Sequence, residues 1–201
     1  MLLTIIIPIY NLENMVTRAL DSVPRRNDLE VLIVDDGSTD NSYAVCEKYA
    51  EEHPDLTIRI IRHEVNRGLG ATKNTGYENA HGDYINQLDA DDYFYTEEYE
   101  KAMAELDGTD MVYIDLQIDS GDIWRVNQGT KHLWCGGPLR FIRKEFLGAN
   151  RCPEIRAGED WFLNEALQKL PHTQKFTGIV AYHYTFPREG SLCDQRNKGE
   201  I

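Results

Sequence analysis

The run "LTIIIP" at residues 3–8 constrains this chain more than any other feature. A continuous apolar, β-branched stretch without alternation belongs to a strand covered on both faces, and such strands build parallel sheets. "EVLIV" (30–34) repeats the pattern, and "TIRIIR" (57–62) and "DYINQL" (83–88) read as two more strands. Segments of helical spacing lie between them. Met15, Val16, Ala19, Leu20 and Val23 mark the first, stopped by Pro24; Val45, Tyr49 and Ala50 mark the second; a weaker one ends near Ala80. Strands alternating with helices of this length make right-handed βαβ units. The expected fold is α/β, a mainly parallel sheet flanked by helices.

The second half is less regular. "TEEYEKAMAEL" (96–106) reads as a charged surface helix, "DMVYID" and "DIWRVN" as strands, "EDWFLNEALQKL" (159–170) as an amphipathic helix, and "GIVAYHY" (178–184) as a last strand. Without repeats, low-complexity tracts or linkers, residues 1–201 read as a single domain.

Composition excludes some functions. Lys and Arg number 21 against 34 Asp and Glu, a formal net charge of −13, which argues against nucleic-acid binding. No apolar run approaches the ~20 residues of a membrane span. "MLLTIIIPIY" lacks a basic flank and a cleavage site, so it reads as a core strand and not a signal peptide. Cys46, Cys135, Cys152 and Cys193 form no C-x-x-C pair and receive no role. Reduced thiols make a cytoplasmic setting the default.

In a parallel sheet, ligands gather at the carboxyl ends of the strands. Those ends carry Pro8 to Asn11, Asp35–Asp36, the glycines near 68–70, and Asp89–Asp92 within "YINQLDADDYF". Carboxylates brought to one rim repel unless a cation sits among them. Hard divalent ions prefer such oxygen ligands, so Mg2+ or Mn2+ carrying phosphates is the expected occupant. Rival motifs fail on spacing. "DADDYF" lacks the EF-hand glycine, and Tyr93 takes a ligand position. "NRGLGATK" puts Lys73 where a dinucleotide fingerprint needs its third glycine. The aspartates of "VDDGST" are adjacent, whereas the haloacid-dehalogenase nucleophile motif separates them by one residue.

"TIIIPIYN", "EVLIVDDGSTDNS", "NRGLGATKNTGYENAHGDYINQLDADD" and "GEDWF", in this order, resemble a family-2 glycosyltransferase with the GT-A nucleotide-diphospho-sugar transferase fold. The likeness covers roughly the whole chain and is most specific in residues 3–92. It implies a nucleotide-sugar-binding half at 1–109 and an acceptor-side half at 110–201. In such enzymes Pro8 and Tyr10 would line the nucleotide pocket. Asp36 would accept from the uracil or other base, and Asp35 would support its turn. Asp89 would touch the ribose, Asp91 would bind the metal with Asp92 close by, and Asp160 would be the general base, with Glu159 as its neighbour. His183 and Arg188, in "YHYTFPREGS", would close over the metal-bound diphosphate, His183 as a candidate ligand. The usual alanine-arginine-asparagine triplet stands here as Thr72, Lys73 and Asn74. Lys73 keeps a phosphate-binding charge without the guanidinium fork.

The implied activity is inverting transfer of a sugar, with a UDP-sugar favoured, to a glycan or lipid-linked acceptor in polysaccharide or glycan synthesis, with Mn2+ or Mg2+. Peripheral membrane contact stays open. A non-catalytic nucleotide-sugar-binding domain and a metal-dependent nucleotidyltransferase are the alternatives. Simpler roles stand beside the functional ones. Asp35 and Asp36 could cap a helix, and Asp160 could complement a helix dipole. His183 is as readily a hydrogen-bonded core residue. Tyr84, Tyr93 and Phe94 read as core, and one of Trp124, Trp134 and Trp161 could stack on an acceptor sugar.

Overall fold

In a computed structural model of the chain, residues 1–129, 137–155, 158–186, 189 and 198 are described. The described strands form one nine-stranded sheet. Its parallel half has the order β3 (Thr57–Arg62), β2 (Leu29–Asp35), β1 (Leu3–Ile9), β4 (Tyr84–Gln87). All seven positions of β1 and of β2 are buried, as continuous apolar runs require. β1 sits between β2 and β4, with Ile5 opposite Val31 on one side and Asn86 on the other.

Beyond β4 the sheet becomes mixed. β8 (Arg140–Arg143) is antiparallel to both β4 and β6 (Met111–Ile118). β9 (Gln174–Tyr184) runs parallel to β6, and β5 (Tyr93–Phe94) pairs antiparallel with β9. β7 (Ile123–Trp124) pairs with β6 and is only two residues long, far shorter than the "DIWRVN" expected. β9 begins four residues before the expected Gly178. Register shifts opposite Tyr113–Leu116 let an irregular strand stay paired, which alternation alone does not reveal.

The helices are α1 (Val16–Asp21), α2 (Ser42–Glu52), α3 (Leu69–Asn79), α4 (Thr96–Met103), α5 (Lys144–Leu147) and α6 (Glu159–Gln168). α4 is not the wholly solvated helix its charges suggest, because Tyr99, Ala102 and Met103 are buried. α3 lies hard against β1 at Gly76, where an added Cβ would meet Ile6 Cγ2 at 2.5 Å. Its weak amphipathic pattern reflects burial of Gly70, Ala71, Thr72, Lys73, Gly76 and Tyr77. Two reciprocal bonds, Asn74 Nδ2 to the Cys152 carbonyl (2.9 Å) and the Cys152 amide to Asn74 Oδ1 (2.8 Å), tie α3 to the segment before α6. Burial pushes the Cys46 and Cys152 thiols up to about 12, so neither is a reactive thiolate at neutral pH. Cys135 and Cys193 lie outside the described residues.

Candidate active site at the carboxyl rim

The ends of β1, β2 and β4 converge as a parallel sheet demands. Pro8 is buried inside β1, so of the expected nucleotide-lining pair only Tyr10, 44% exposed, reaches the surface. Asn11 follows in the left-handed region (φ 53°), which asparagine tolerates better than other side chains. Its Oδ1 accepts from the Thr39 amide at 2.8 Å, and its amide donates to Ser38 Oγ at 3.0 Å, stitching the β1 end to the "DGSTD" loop. Asn11 was not singled out from the sequence, although an asparagine at a strand end was the available signal.

Asp35 and Asp36 divide their labour. Asp35 Oδ1 accepts from the Ser38 amide at 3.1 Å and Oδ2 faces Arg62 Nε at 3.1 Å. Asp36 is 3% exposed. Its Oδ1 lies 2.7 Å from His63 Nδ1 and accepts from the Arg67 amide at 2.9 Å; Oδ2 accepts from the Gly68 amide at 2.8 Å. Both oxygens are committed to the "NRG" loop, so this side chain organises that loop. At Gly37 (φ 70°) an added Cβ would meet the Val65 carbonyl carbon at 2.8 Å, so only glycine lets the two loops touch. Asp36→Ala should leave two amides and His63 without their acceptor and destabilise the fold by about 1–3 kcal/mol, read by urea unfolding. A change below about 0.5 kcal/mol would show the loop does not depend on this carboxylate.

The acidic turn after β4 is held from three sides. Gln87 Nε2 donates to Asp89 Oδ1 at 2.7 Å. Asp92 is buried and accepts from the Tyr182 hydroxyl at 2.6 Å and the Thr185 amide at 2.7 Å. The Asp91 carbonyl accepts from Thr185 Oγ1 at 2.7 Å and from the Arg18 guanidinium, which also lies over the Tyr93 ring. Burial, together with the Asp91 and Asp160 charges, raises the Asp89 carboxyl even against the pull of Lys73. Burial with Asp89 and Asp91 raises Asp92 likewise. The turn concentrates negative charge on oxygen ligands, which suits a hard divalent cation at Asp91. Among the described residues no group of three or more His, Cys, Asp or Glu side chains forms a complete cage. A phosphate-bearing ion with few protein ligands needs none.

His183 stacks on Tyr93, with ring centroids 4.3 Å apart, and its Nε2 faces Asp119 at 3.5 Å. Burial lowers its pKa despite Asp119. Its Nδ1 is buried without a hydrogen-bond partner among the described residues, so the ring is packed but not the fully hydrogen-bonded core histidine, and the ligand reading stands beside it. Arg188 and Trp134 lie outside the described residues. Trp161 is 45% exposed one residue beyond Asp160, and Trp124 packs edge-on against Tyr184.

Lys73 departs furthest from expectation. Its side chain is 1% exposed, and Nζ donates to Glu159 Oε1 at 2.6 Å and to Asp160 Oδ2 at 2.7 Å. Adjacent positions on a helix turn their side chains apart, yet Glu159 shares the same ammonium. Burial pushes the Asp160 carboxyl up, but Lys73, with Arg140 behind it, outweighs this and holds it below its usual value. Asp160 keeps 20% side-chain exposure, while its Oδ1 is buried without a hydrogen-bond partner among the described residues and its Oδ2 is bonded to Lys73. The ionised carboxylate thus stands beside the rim that carries Asp89.

The sequence pattern described as glycosyl transferase family 2 matches residues 4–167. The chain belongs to that family. Family relatives include the glycosyltransferase EpsJ of Bacillus subtilis, 32% identical over 158 residues, covering 70% of this chain and 45% of EpsJ. The minor teichoic acid biosynthesis protein GgaB of the same organism is 26% identical over 97% of this chain and 24% of its own. Among solved structures, S. aureus TarS in complex with UDP-GlcNAc superposes with a TM-score of 0.79 at 25% identity, over 95% of this chain and 60% of that one. The mannosyltransferase PcManGT of Pyrobaculum calidifontis, in complex with GDP-Man and Mn2+, gives 0.75 at 22% identity, over 94% of this chain and 58% of its own. The family fold is GT-A, and the mixed sheet described above is its form here. The chain spans less than half of EpsJ and about three-fifths of the TarS chain.

Proposed function

We propose that this family member transfers a sugar from a nucleotide-diphosphate donor to an acceptor hydroxyl, with inversion and with Asp160 as base, in the making of a surface polysaccharide or glycan. The observation that carries this reading is a carboxylate held ionised by Lys73, partly exposed and with one oxygen unpartnered among the described residues, beside the rim on which Asp89 and Asp91 stand. Tyr10 and the loops organised by Asp35 and Asp36 form the nucleotide side, in residues 1–109. Asp160, with the elements from 110 onward, forms the acceptor side. Asp91 would hold Mn2+ or Mg2+, which would neutralise the departing diphosphate, with Asp89 at the ribose. A UDP-sugar is the favoured donor, supported by the likeness to TarS, a protein solved with UDP-GlcNAc. A glycan or lipid-linked acceptor is supported by relatives such as GgaB. No helix among the described residues is long and apolar enough to cross a membrane. A cytoplasmic protein that meets a lipid-linked acceptor at the membrane surface is compatible with that.

Asp160 takes the hydroxyl proton as the acceptor oxygen attacks the anomeric carbon opposite the leaving diphosphate. Retention would need a second carboxylate as nucleophile on the other face of the sugar, as in retaining glycosidases. Glu159 is 4% exposed and bound to Lys73, so it is not available for that role. An α-linked donor should therefore give a β-glycoside, read from the anomeric coupling in the product's NMR spectrum. An α-glycoside would overturn the single-base mechanism. Release of pyrophosphate instead of a nucleoside diphosphate would favour nucleotidyl transfer.

A further inference from the structure

We propose that Lys73 is a positioning residue for Asp160, fixing the base at the rim with Glu159 as its standing counter-ion, and is not a contact to the donor diphosphate. The inference rests on Asp160 being the base. Three observations carry it. With 1% of its side chain exposed, Lys73 offers no surface that a ligand at the rim could touch. Two of its three N–H donors are already given to Glu159 and Asp160, at 2.6 and 2.7 Å. The helix that carries Lys73 is tied at its next residue, since the reciprocal Asn74–Cys152 bonds join α3 to the Cys152 backbone, and α3 packs on α6. The ammonium therefore sits where it can select one orientation of the Asp160 carboxylate.

Two carboxylates on one buried cation also solve a problem of charge. When Asp160 takes up the acceptor proton it becomes neutral. With Asp160 as sole partner, the Lys73 ammonium would then be buried and uncompensated, which is strongly unfavourable. Glu159, 4% exposed, keeps it paired throughout the cycle. Burial would lower the Lys73 pKa, but the Asp160 and Glu159 carboxylates beside it hold it well above the ordinary value. Among the described residues, the charged and titratable groups that face Asp160 are Lys73 and Tyr77 from α3, Arg140 from β8, Asp89 after β4, Cys152 in the segment before α6, and Glu159 beside it.

The test reads the carboxylate directly and needs no known acceptor. Aspartate side chains are labelled with carbon-13, the Asp160 resonance is identified by its loss in Asp160→Asn, and its titration is followed by NMR. Affinity for UDP with Mn2+ is measured in parallel by calorimetry. In Lys73→Met the Asp160 midpoint should rise by about 1–3 pH units, the span set by loss of an adjacent opposite charge. In Lys73→Met/Glu159→Gln the rise should be smaller, because a neighbouring negative charge has also gone. Lys73→Arg, which restores the cation, should bring the midpoint back to near the wild-type value. UDP affinity should stay within about threefold throughout, since no donor contact is lost. Should Lys73→Met fail to fold, the charge-balanced double variant decides. Its midpoint must still lie above wild type, because the ammonium removed is bonded to Asp160 itself. An unmoved midpoint overturns the proposal. So does a fall in UDP affinity of about tenfold or more, which would make Lys73 a diphosphate contact after all. If the wild-type chain binds no UDP, the donor assignment fails separately and the titration alone decides. Near-wild-type turnover of Asp160→Asn would remove the base assignment, independently of where the midpoint lies.

Discussion

Asp160→Asn should bind nucleotide almost normally and lose turnover by about 10²-fold or more, the loss expected for a positioned base. The amide nearly matches the carboxylate in shape, so α6 and the Lys73 contact keep their geometry, and Glu159 still neutralises the ammonium. What disappears is the proton acceptor, in a carboxyl that Lys73 keeps ionised. The measurement is nucleoside diphosphate released from the donor in the presence of acceptor, with nucleotide affinity determined alongside. Turnover within a few-fold of wild type would move the base elsewhere.

Asp91→Asn should act on the other side of the reaction. Substituting outer partners of metal ligands costs about 10–100-fold in metal affinity, and losing a direct anionic ligand should cost at least as much. Calorimetry with a nucleoside diphosphate should therefore show Mn2+-dependent binding weakened by about 10²-fold in the variant. The fold should survive, because the turn is held through the Asp91 carbonyl and the Asp92 carboxylate, and an amide in place of the Asp91 carboxylate nearly keeps its shape. Wild-type binding that ignores EDTA, or binding unchanged in Asp91→Asn, would remove the metal from Asp91.

The two predictions rest on parts of the site that were unequally legible in the sequence. β1 and β2 are plain in "LTIIIP" and "EVLIV", because strands buried on both faces must be continuously apolar. Once they are parallel, the convergence of Asp35, Asp36 and Asp89 on one rim follows from topology. The partners of those carboxylates do not follow. Asp36 finds its partners in the Arg67 and Gly68 amides and His63, a matter of loop conformation that Gly37 permits. Lys73 carries a cation whether it meets a phosphate or a carboxylate, and only the packing of α3 against α6 decides between them. Likewise, adjacency of Glu159 and Asp160 on a helix suggests divergent side chains. A long lysine rising between them lets both reach one nitrogen. The second half was harder for a different reason. β7 is held by two residue pairs and β9 pairs through a bulge, so neither displays a full period of alternation.

The tie between Asp92 and β9 bears on how the protein is made. Synthesis delivers the acidic turn roughly ninety residues before the Tyr182 hydroxyl and Thr185 amide that hold Asp92. A nascent chain that ends before β9 holds β1 to β4, yet its turn carries a buried-type aspartate with no donors and a strand, β5, with no neighbour. Contacts of such sequence separation form late, after the entropy of closing the intervening loop has been overcome. Among the described strands β9 is therefore the one that orders the acidic turn, and an emerging chain cannot hold that turn in place before β9 has docked.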